Sequence, residues 1–312
     1  MSQGEHQGEQ MTGKIVIGPA GWGYKDWEGI VYPPALKKAR QHPLQFVARY
    51  FDLVEINTSF YGHIRPEVAR QWSRLVADVN PHFIFTAKLH RSFTHSPVAV
   101  VESTSAATIK PDPEDEQLAK AGLDALAGEG RLGALLMQFP ISFKNTGENR
   151  EYLDSLIARF RSYPLALEVR HLSWNSQAVL AQLAAQRVAF CNIDQPLLGQ
   201  AMRPGTHVTS VLGYIRLHGR RYDQWFTPDH PHDRYNYLYT RDELERWKTR
   251  VEQVAEKAEK TFVVANNHFK GKAAANSLEL KSMLAGRRVP APATLVETYP
   301  DLRDFTAPEN GE

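Results

Sequence analysis

The chain has 312 residues, of which 42% are hydrophobic and 23% charged, and its formal net charge is +2. These proportions are typical of a globular protein, and so small a net charge gives no argument for a nucleic-acid or anionic membrane partner. The single cysteine, Cys191, excludes an intramolecular disulfide and agrees with a cytoplasmic location. No apolar run has the length of a membrane span.

The two ends of the chain differ in composition from the rest. Residues 1–12 are polar and lack the basic and apolar regions of a secretory signal, so we expect a disordered tail there. We expect a second flexible tail at residues 307–312 and a single domain over residues 13–306. Eight strand–helix units need about 250 residues, and a domain of this size has room for them.

Short apolar runs alternate with amphipathic stretches along the chain. We predict eight strands, at residues 14–18, 53–57, 83–88, 134–139, 165–170, 188–194, 214–218 and 261–267. Helices are predicted at residues 45–51, 66–75, 114–126, 152–160, 177–185, 242–257 and 273–284. The helical period is weak between the sixth and seventh strands.

This alternation predicts an α/β fold that is a single TIM-type (β/α)8 barrel. The competing Rossmann-type sheet is disfavoured, because Gly18-Pro19-Ala20-Gly21-Trp22 lacks the glycine spacing of a dinucleotide-binding turn. Long loops at residues 90–115 and 219–242 follow the third and seventh strands. Both are therefore expected on the face where barrel enzymes have their active sites.

Side chains alternate between the two faces of a strand, and this alternation predicts which residues point into the barrel. In the seventh strand Ile215 and Leu217 are expected to face the helices. Cys191 in the sixth strand is also expected to point outward. The residues expected to point inward near the strand ends are Glu55, Asn57, Thr86, Lys88, His90, Gln138, Glu168, Arg170, Asn192, Asp194, Tyr214, Arg216, His218, Arg220, Asn266 and His268, with Asn267 as a neighbour.

Isolated inward charges are costly, so this ring of polar groups predicts a ligand pocket. We expect acid–base catalysis from Glu55, Glu168, Asp194 and His218. The expected ligand-binding residues are Trp22, Tyr24, Asn57, Tyr61, Lys88, Gln138, Arg170, Arg216, Arg220, Asn266, Asn267 and His268. The alternative is a ring of structural ion pairs without a ligand, such as Glu55 with Lys88.

The cations among the carboxylates favour a small anionic, phosphorylated or sugar-like ligand over a metal ion, and we assign no metal ligands. The leading hypothesis is an enzyme, such as a hydrolase, that acts on this ligand. One alternative is a metal-dependent, endonuclease-like barrel that processes nucleic acid, and another is a barrel that binds a ligand without catalysis. The cofactor, the substrate, the reaction and the oligomeric state stay open.

Several short motifs resemble those of the YecE-like family, which consists of uncharacterised barrels. The matching segments are Gly18-Pro19-Ala20-Gly21-Trp22-Gly23-Tyr24, Val54-Glu55-Ile56-Asn57-Thr58-Ser59-Phe60-Tyr61, Phe85-Thr86-Ala87-Lys88 with Thr94-His95, Gln138-Phe139-Pro140, Glu168-Val169-Arg170 with Trp174, Arg216-Leu217-His218-Gly219-Arg220 and Asn266-Asn267-His268. Together they extend over residues 15–284. The resemblance implies a TIM barrel and no agreed activity. Pro19-Ala20 departs from the small hydroxyl or cysteine residue that many members have there.

Overall fold

Eight parallel strands, numbered β1 to β8, form the centre of the protein. The computed structural model describes residues 14–96, 105–223 and 233–307. The strands are β1 Lys14–Pro19, β2 Leu53–Ile56, β3 Ile84–Lys88, β4 Leu132–Gln138, β5 Leu165–Glu168, β6 Ala189–Asp194, β7 Leu212–Leu217 and β8 Lys260–Ala265. All eight predicted strands are confirmed. The predicted tails lie outside the described residues, except for Ala307.

The helices surround the strands. They are α1 Pro34–Lys38, α2 Pro43–Val47, α3 Pro66–Ala77, α4 Asp115–Gly128, α5 Gly147–Phe160, α6 Gln177–Ala185, α7 Arg241–Ala255, α8 Lys272–Ala285 and α9 Ala293–Thr298. The prediction missed α1, α9 and a short parallel pair formed by β9 Val289–Pro290 and β10 Thr306–Ala307. Within the described ranges, no helix combines the length and apolar character needed to cross a lipid bilayer.

Local signals explain where the longer helices begin. Pro66 starts α3 at the first helical position, where a missing N–H costs no hydrogen bond. At the start of α7, the Thr240 side chain accepts from the Glu243 N–H, and the Glu243 carboxylate accepts from the Thr240 N–H in return. The helix therefore has a defined start immediately after an irregular segment.

The strands follow the order β1-β8-β7-β6-β5-β4-β3-β2, and each pair of neighbours is parallel. The first and last strands of this order meet at a seam, where the Gly21 N–H donates to the Glu55 carbonyl at 2.8 Å. The sheet is thus a nearly closed barrel, and the predicted fold class is confirmed. Gly18 lies at the seam, and a Cβ atom there would be 1.7 Å from the Leu53 carbonyl oxygen.

The alternation predicted for β7 is confirmed. Ile215 and Leu217 pack in an apolar layer with Trp247 of α7 and Leu280 of α8. The hydroxyl of Tyr214 lies inside the barrel, 3.1 Å from Oε2 of Glu55. An apolar layer therefore separates the sheet from the helices, whereas the carboxyl-end half of the interior is polar.

The alternation predicted for β6 is wrong. Asn192 points outward and pairs with the backbone of His207 at 2.9 and 2.8 Å. His207 belongs to residues 195–211, which contain no helix and need polar partners for their backbone. Asp194 also points outward, and Cys191 faces the interior, where burial raises its thiol pKa well above the usual range and the charges of Glu168 and Arg216 act on it.

The close approach of the strands at the seam predicts a loss of stability when Gly18 is replaced. Gly18→Ala should lower the free energy of unfolding by about 1–3 kcal/mol, because the added methyl group would collide with the backbone of β2. Urea denaturation measures this difference. Gly62→Ala is the matched control, since no atom lies within 4 Å of its added Cβ. Equal stability of the two variants would contradict the close approach at the seam.

Candidate active site

Arg216 forms a buried ion-pair network with two glutamates near the carboxyl ends of the strands. Its Nη2 is 2.7 Å from Oε1 of Glu55 on β2, and its Nη1 contacts Oε2 of Glu168 on β5. Nη1 also donates to Oε1 of Gln138 at 3.1 Å. The side chains of Arg216, Glu55 and Glu168 are fully buried. One guanidinium thus connects strands on opposite sides of the barrel.

The protonation states of Glu168 and His218 follow from this network. Burial alone would raise the pKa of Glu168, but the charges of Arg216 and Arg170 hold it well below its usual range. Burial lowers the pKa of His218 to about 3, so its imidazole is neutral at physiological pH. His218 lies between Oε1 of Glu168, at 3.2 Å, and the amide of Asn266, at 3.0 Å. These groups therefore do not change charge near neutral pH.

A cavity of about 370 Å³ opens beside the network, at the ends of β1, β2, β3 and β8. Its walls are largely aromatic: Tyr24 stacks on the ring of His268 at 4.1 Å, and Tyr235 stacks on the same ring at 4.7 Å. The lining residues are Gly21, Trp22, Gly23, Tyr24, Asn57, Thr58, Tyr61, Trp72, Lys88, Tyr235, Asn266 and His268.

Lys88 connects the cavity with the buried network. Its side chain is 11% exposed, and its Nζ is 3.8 Å from Oε1 of Glu55. Burial lowers the pKa of Lys88 to about 7, and the charge of Arg216 acts in the same direction against the opposing effect of Glu55. Lys88 therefore exchanges a proton near neutral pH, which is the property required of an acid–base catalyst.

Several cations act on His95, which lies near Lys88. The pKa of His95 is lowered to about 4, mainly by burial and also by the charges of Arg170, Arg91 and Lys88. The ring of His95 meets Phe60 edge-on at 5.0 Å, and Lys88 lies over Phe60 with its Nζ 5.7 Å from the ring centre. Lys88 and His95 thus lie against the same ring, and Lys88 brings a cationic group to the border of the cavity.

The predicted site residues separate into three sets. Seven border the cavity, namely Trp22, Tyr24, Asn57, Tyr61, Lys88, Asn266 and His268. Six form the network beneath or beside it, namely Glu55, Gln138, Glu168, Arg170, Arg216 and His218. Three lie elsewhere, namely Asp194, Arg220 and Asn267.

The residues of the third set were predicted to lie in the pocket, and the structure places them outside it. Arg220 bonds to the outward Asp194 at 2.9 Å and to Glu243 of α7, because Gly219 has a φ of +86° and ends the alternation of β7. Asn267 follows the inward Asn266 and therefore points outward, where it bonds to Asn276 of α8.

His90 is also separated from the residues with which the alternation grouped it. Its ring packs against His63 at 4.3 Å, and its Nδ1 is 2.8 Å from Oγ of Ser92. The strand ends at Lys88, so the period of two no longer applies two residues later.

Six residues of the site were not among the predicted set: Gly21, Gly23, Thr58, Trp72 and Tyr235 of the lining, and His95 nearby. The crowding of aromatic residues at 219–242 was the signal that could have identified Tyr235. Trp72 lies on α3 and borders the cavity, where its ring meets that of Trp22 edge-on with 5.0 Å between the ring centres. The sequence of α3 alone contains no pattern that predicts this contact.

Comparisons with known proteins agree with the resemblance seen in the motifs. The family described as "Protein of unknown function DUF72", to which the YecE-like proteins belong, matches residues 16–298. The UPF0759 protein YunF of Bacillus subtilis is 30% identical over 284 residues, which are 86% of this chain and 94% of YunF.

Two solved structures of DUF72 family proteins share the fold. The protein from Thermotoga maritima is 32% identical with a TM-score of 0.72, and the match covers 87% of this chain and 99% of that one. A protein from Enterococcus faecalis is 24% identical with a TM-score of 0.70, and the match covers 87% and 95% of the two chains.

The buried network predicts a large effect of removing Arg216. Arg216→Met should lower the free energy of unfolding by about 3–5 kcal/mol, because Glu55 and Glu168 would be left buried without their partner. Chemical denaturation measures the loss. The control Arg241→Met breaks an exposed ion pair with Asp304, which is screened by solvent, and should cost much less. A similar small loss for both variants would show that the network is not paired as described.

The lowered pKa of Lys88 predicts a pH dependence of stability. The folded protein releases this proton above about pH 7, whereas the unfolded chain keeps it up to the ordinary value of 10.5. Unfolding then takes up a proton, so the wild type should gain about 1–3 kcal/mol relative to Lys88→Met as the pH rises across this window.

Denaturant titrations between about pH 6.5 and pH 9.5 measure this difference. Lys38→Met, which removes an exposed lysine, is the control and should differ from the wild type by a constant amount. A constant difference for Lys88→Met as well would refute the lowered pKa.

Proposed function

The chain belongs to the DUF72 family, whose function is unknown, and from this premise we propose that it is an enzyme acting on a small anionic, hydroxylated molecule such as a sugar phosphate. The observation that carries the proposal is the aromatic cavity of about 370 Å³ with Lys88 at its border. The cavity lies at the carboxyl ends of the strands, which is where TIM-barrel enzymes bind their substrates.

The cavity walls support a ligand with both apolar and hydroxyl groups. The rings of Trp22, Tyr24 and Tyr61 border the cavity and supply apolar surface for the C–H groups of a sugar ring. Oδ1 of Asn57 is buried and accepts no hydrogen bond from any described residue, while its Nδ2 is 3.4 Å from the Tyr24 hydroxyl. A buried acceptor of this kind calls for a donor from the ligand, and a hydroxyl group supplies one.

The charges near the cavity support an anionic ligand. Glu55 and Glu168 are both paired with Arg216, and Glu168 also with Arg170 at 2.9 Å, so their negative charge is largely compensated. Lys88 then adds a positive charge next to the cavity whenever it is protonated. That charge attracts a phosphate or carboxylate group to the cavity.

Lys88 is the residue proposed to transfer the proton. In its neutral form it takes a proton from the substrate, and Glu55 at 3.8 Å stabilises the ammonium that results. Glu55, Glu168 and His218 are then positioning residues that act through Arg216 and Lys88. Asp194 has no part in this proposal because it points toward α7. The nucleic-acid alternative needs carboxylates open to metal ions, and those of the interior are paired with arginines.

Thermal-shift titrations with matched pairs of sugars test the proposed function. Phosphorylated pentoses and hexoses should raise the melting temperature of the full chain, whereas the unphosphorylated sugars should have a much smaller effect. Lys88→Met should weaken the binding of the phosphorylated sugars about tenfold or more, because it removes a cation from a partly desolvated site. Lys38→Met is the control and should bind as the wild type does.

Two results would overturn the proposed function. One is the absence of stabilisation by every phosphorylated or carboxylated sugar in the panel. The other is equal affinity of the wild type and Lys88→Met for a ligand that does bind.

A further inference from the structure

Lys88 shares a nearby carboxylate with another cation. Among the described residues, Glu55 is the one whose carboxylate comes within 4 Å of Nζ, and the distance is 3.8 Å. The same oxygen accepts from Arg216 at 2.7 Å. A lysine that is desolvated and lacks a counter-ion of its own is more stable as the neutral amine, and the neutral amine is a nucleophile.

The position of Lys88 gives this amine access to a ligand. The residue ends β3, its Nζ lies 5.7 Å from the ring centre of Phe60, and its side chain borders the aromatic cavity. The cavity volume of about 370 Å³ leaves room for a small phosphorylated molecule above the amine. On the same lining, Oδ1 of Asn57 has no hydrogen-bond partner within the described part of the chain.

We propose that the substrate carries an aldehyde or ketone group and that Lys88 forms a covalent imine with it. The inference rests on the proposed function and names its substrate class, a phosphorylated or otherwise anionic carbonyl compound. It also changes the role of Lys88 from a base alone to a nucleophile that touches the reacting carbon atom.

The step needs no oxidant or reductant. The lone pair of Lys88 Nζ forms a bond to the carbonyl carbon, and the π electrons move to the oxygen, which takes up a proton as nitrogen loses one. The resulting carbinolamine hydroxyl then leaves with a further proton as water, and nitrogen forms a double bond to the same carbon. Amine and carbonyl compound thus give imine and water, and the protons exchange with solvent through the cavity mouth.

The surroundings fit the intermediates of this step. Oδ1 of Asn57 can accept a hydrogen bond from the carbinolamine hydroxyl. Glu55 lies where it stabilises the positive charge of a protonated imine. Such an imine withdraws electrons from the adjacent carbon, so C–H or C–C bonds next to the original carbonyl group become reactive.

Reductive trapping tests the inference on the full-length protein. The protein is incubated with dihydroxyacetone phosphate or with pyridoxal phosphate, borohydride is added, and the tryptic peptides are analysed by mass spectrometry. The Lys88 peptide should acquire the reduced adduct about tenfold faster than the peptide containing the exposed Lys38, because burial and the charge of Arg216 favour the neutral, nucleophilic form of the Lys88 amine. Lys88→Arg should abolish the adduct at this site and leave that at Lys38 unchanged.

The comparison of two peptides within one wild-type digest does not depend on any variant being folded. Labelling of Lys88 no faster than that of Lys38 by either probe would overturn the imine. If phosphorylated sugars still stabilise the protein through Lys88 in that case, the proposed function stands and Lys88 acts as a base only. If no such sugar binds and Lys88 is unreactive, both proposals fail.

Discussion

The guanidinium of Arg216 bridges two carboxylates inside the barrel, and the polar interior depends on this interaction. Glu55 and Glu168 come from strands on different sides, and neither could stay ionised and fully buried without a partner. The bridge also affects the protonation of a neighbouring residue, Lys88. Because Arg216 already occupies Oε1 of Glu55, the nearby Lys88 has no carboxylate of its own and tends to lose its proton. The contact between Arg216 and Glu55 thus stabilises the interior and also favours the neutral form of the Lys88 amine.

The cavity depends on the seam of the barrel. The seam brings the loops that follow β1 and β2 together, and Trp22, Tyr24 and Tyr61 on those loops then face Lys88 and His268. The candidate site is therefore displaced from the barrel axis toward β1, β2, β3 and β8. Among the described residues, Lys88 and Asn266 contact side chains of the network and also border the cavity. The buried ion-pair network and the lining of the cavity are therefore formed largely by different side chains.

The sequence predicts the strands well because each is a short apolar run, and the inward side chains of β2, β5 and β7 follow from simple alternation. The failures have local causes. Residues 195–211 lack a helix and draw Asn192 outward, and the left-handed turn at Gly219 redirects Arg220. The properties of Lys88 could not be predicted, because they depend on the contact between Glu55 and Arg216, which are 161 positions apart in the chain. Only the closed barrel brings these residues together.

The inward orientation of Cys191 has a practical consequence. This thiol is fully buried near the ion-pair network and is the only sulfhydryl group of the protein. A thiol reagent can reach it only when the strands separate, so its rate of modification follows the opening of the barrel as a whole. The rate at which Cys191 is modified therefore reports how often the barrel opens. The opening motion can thus be followed in dilute buffer with a thiol reagent alone, without a denaturant or an introduced cysteine.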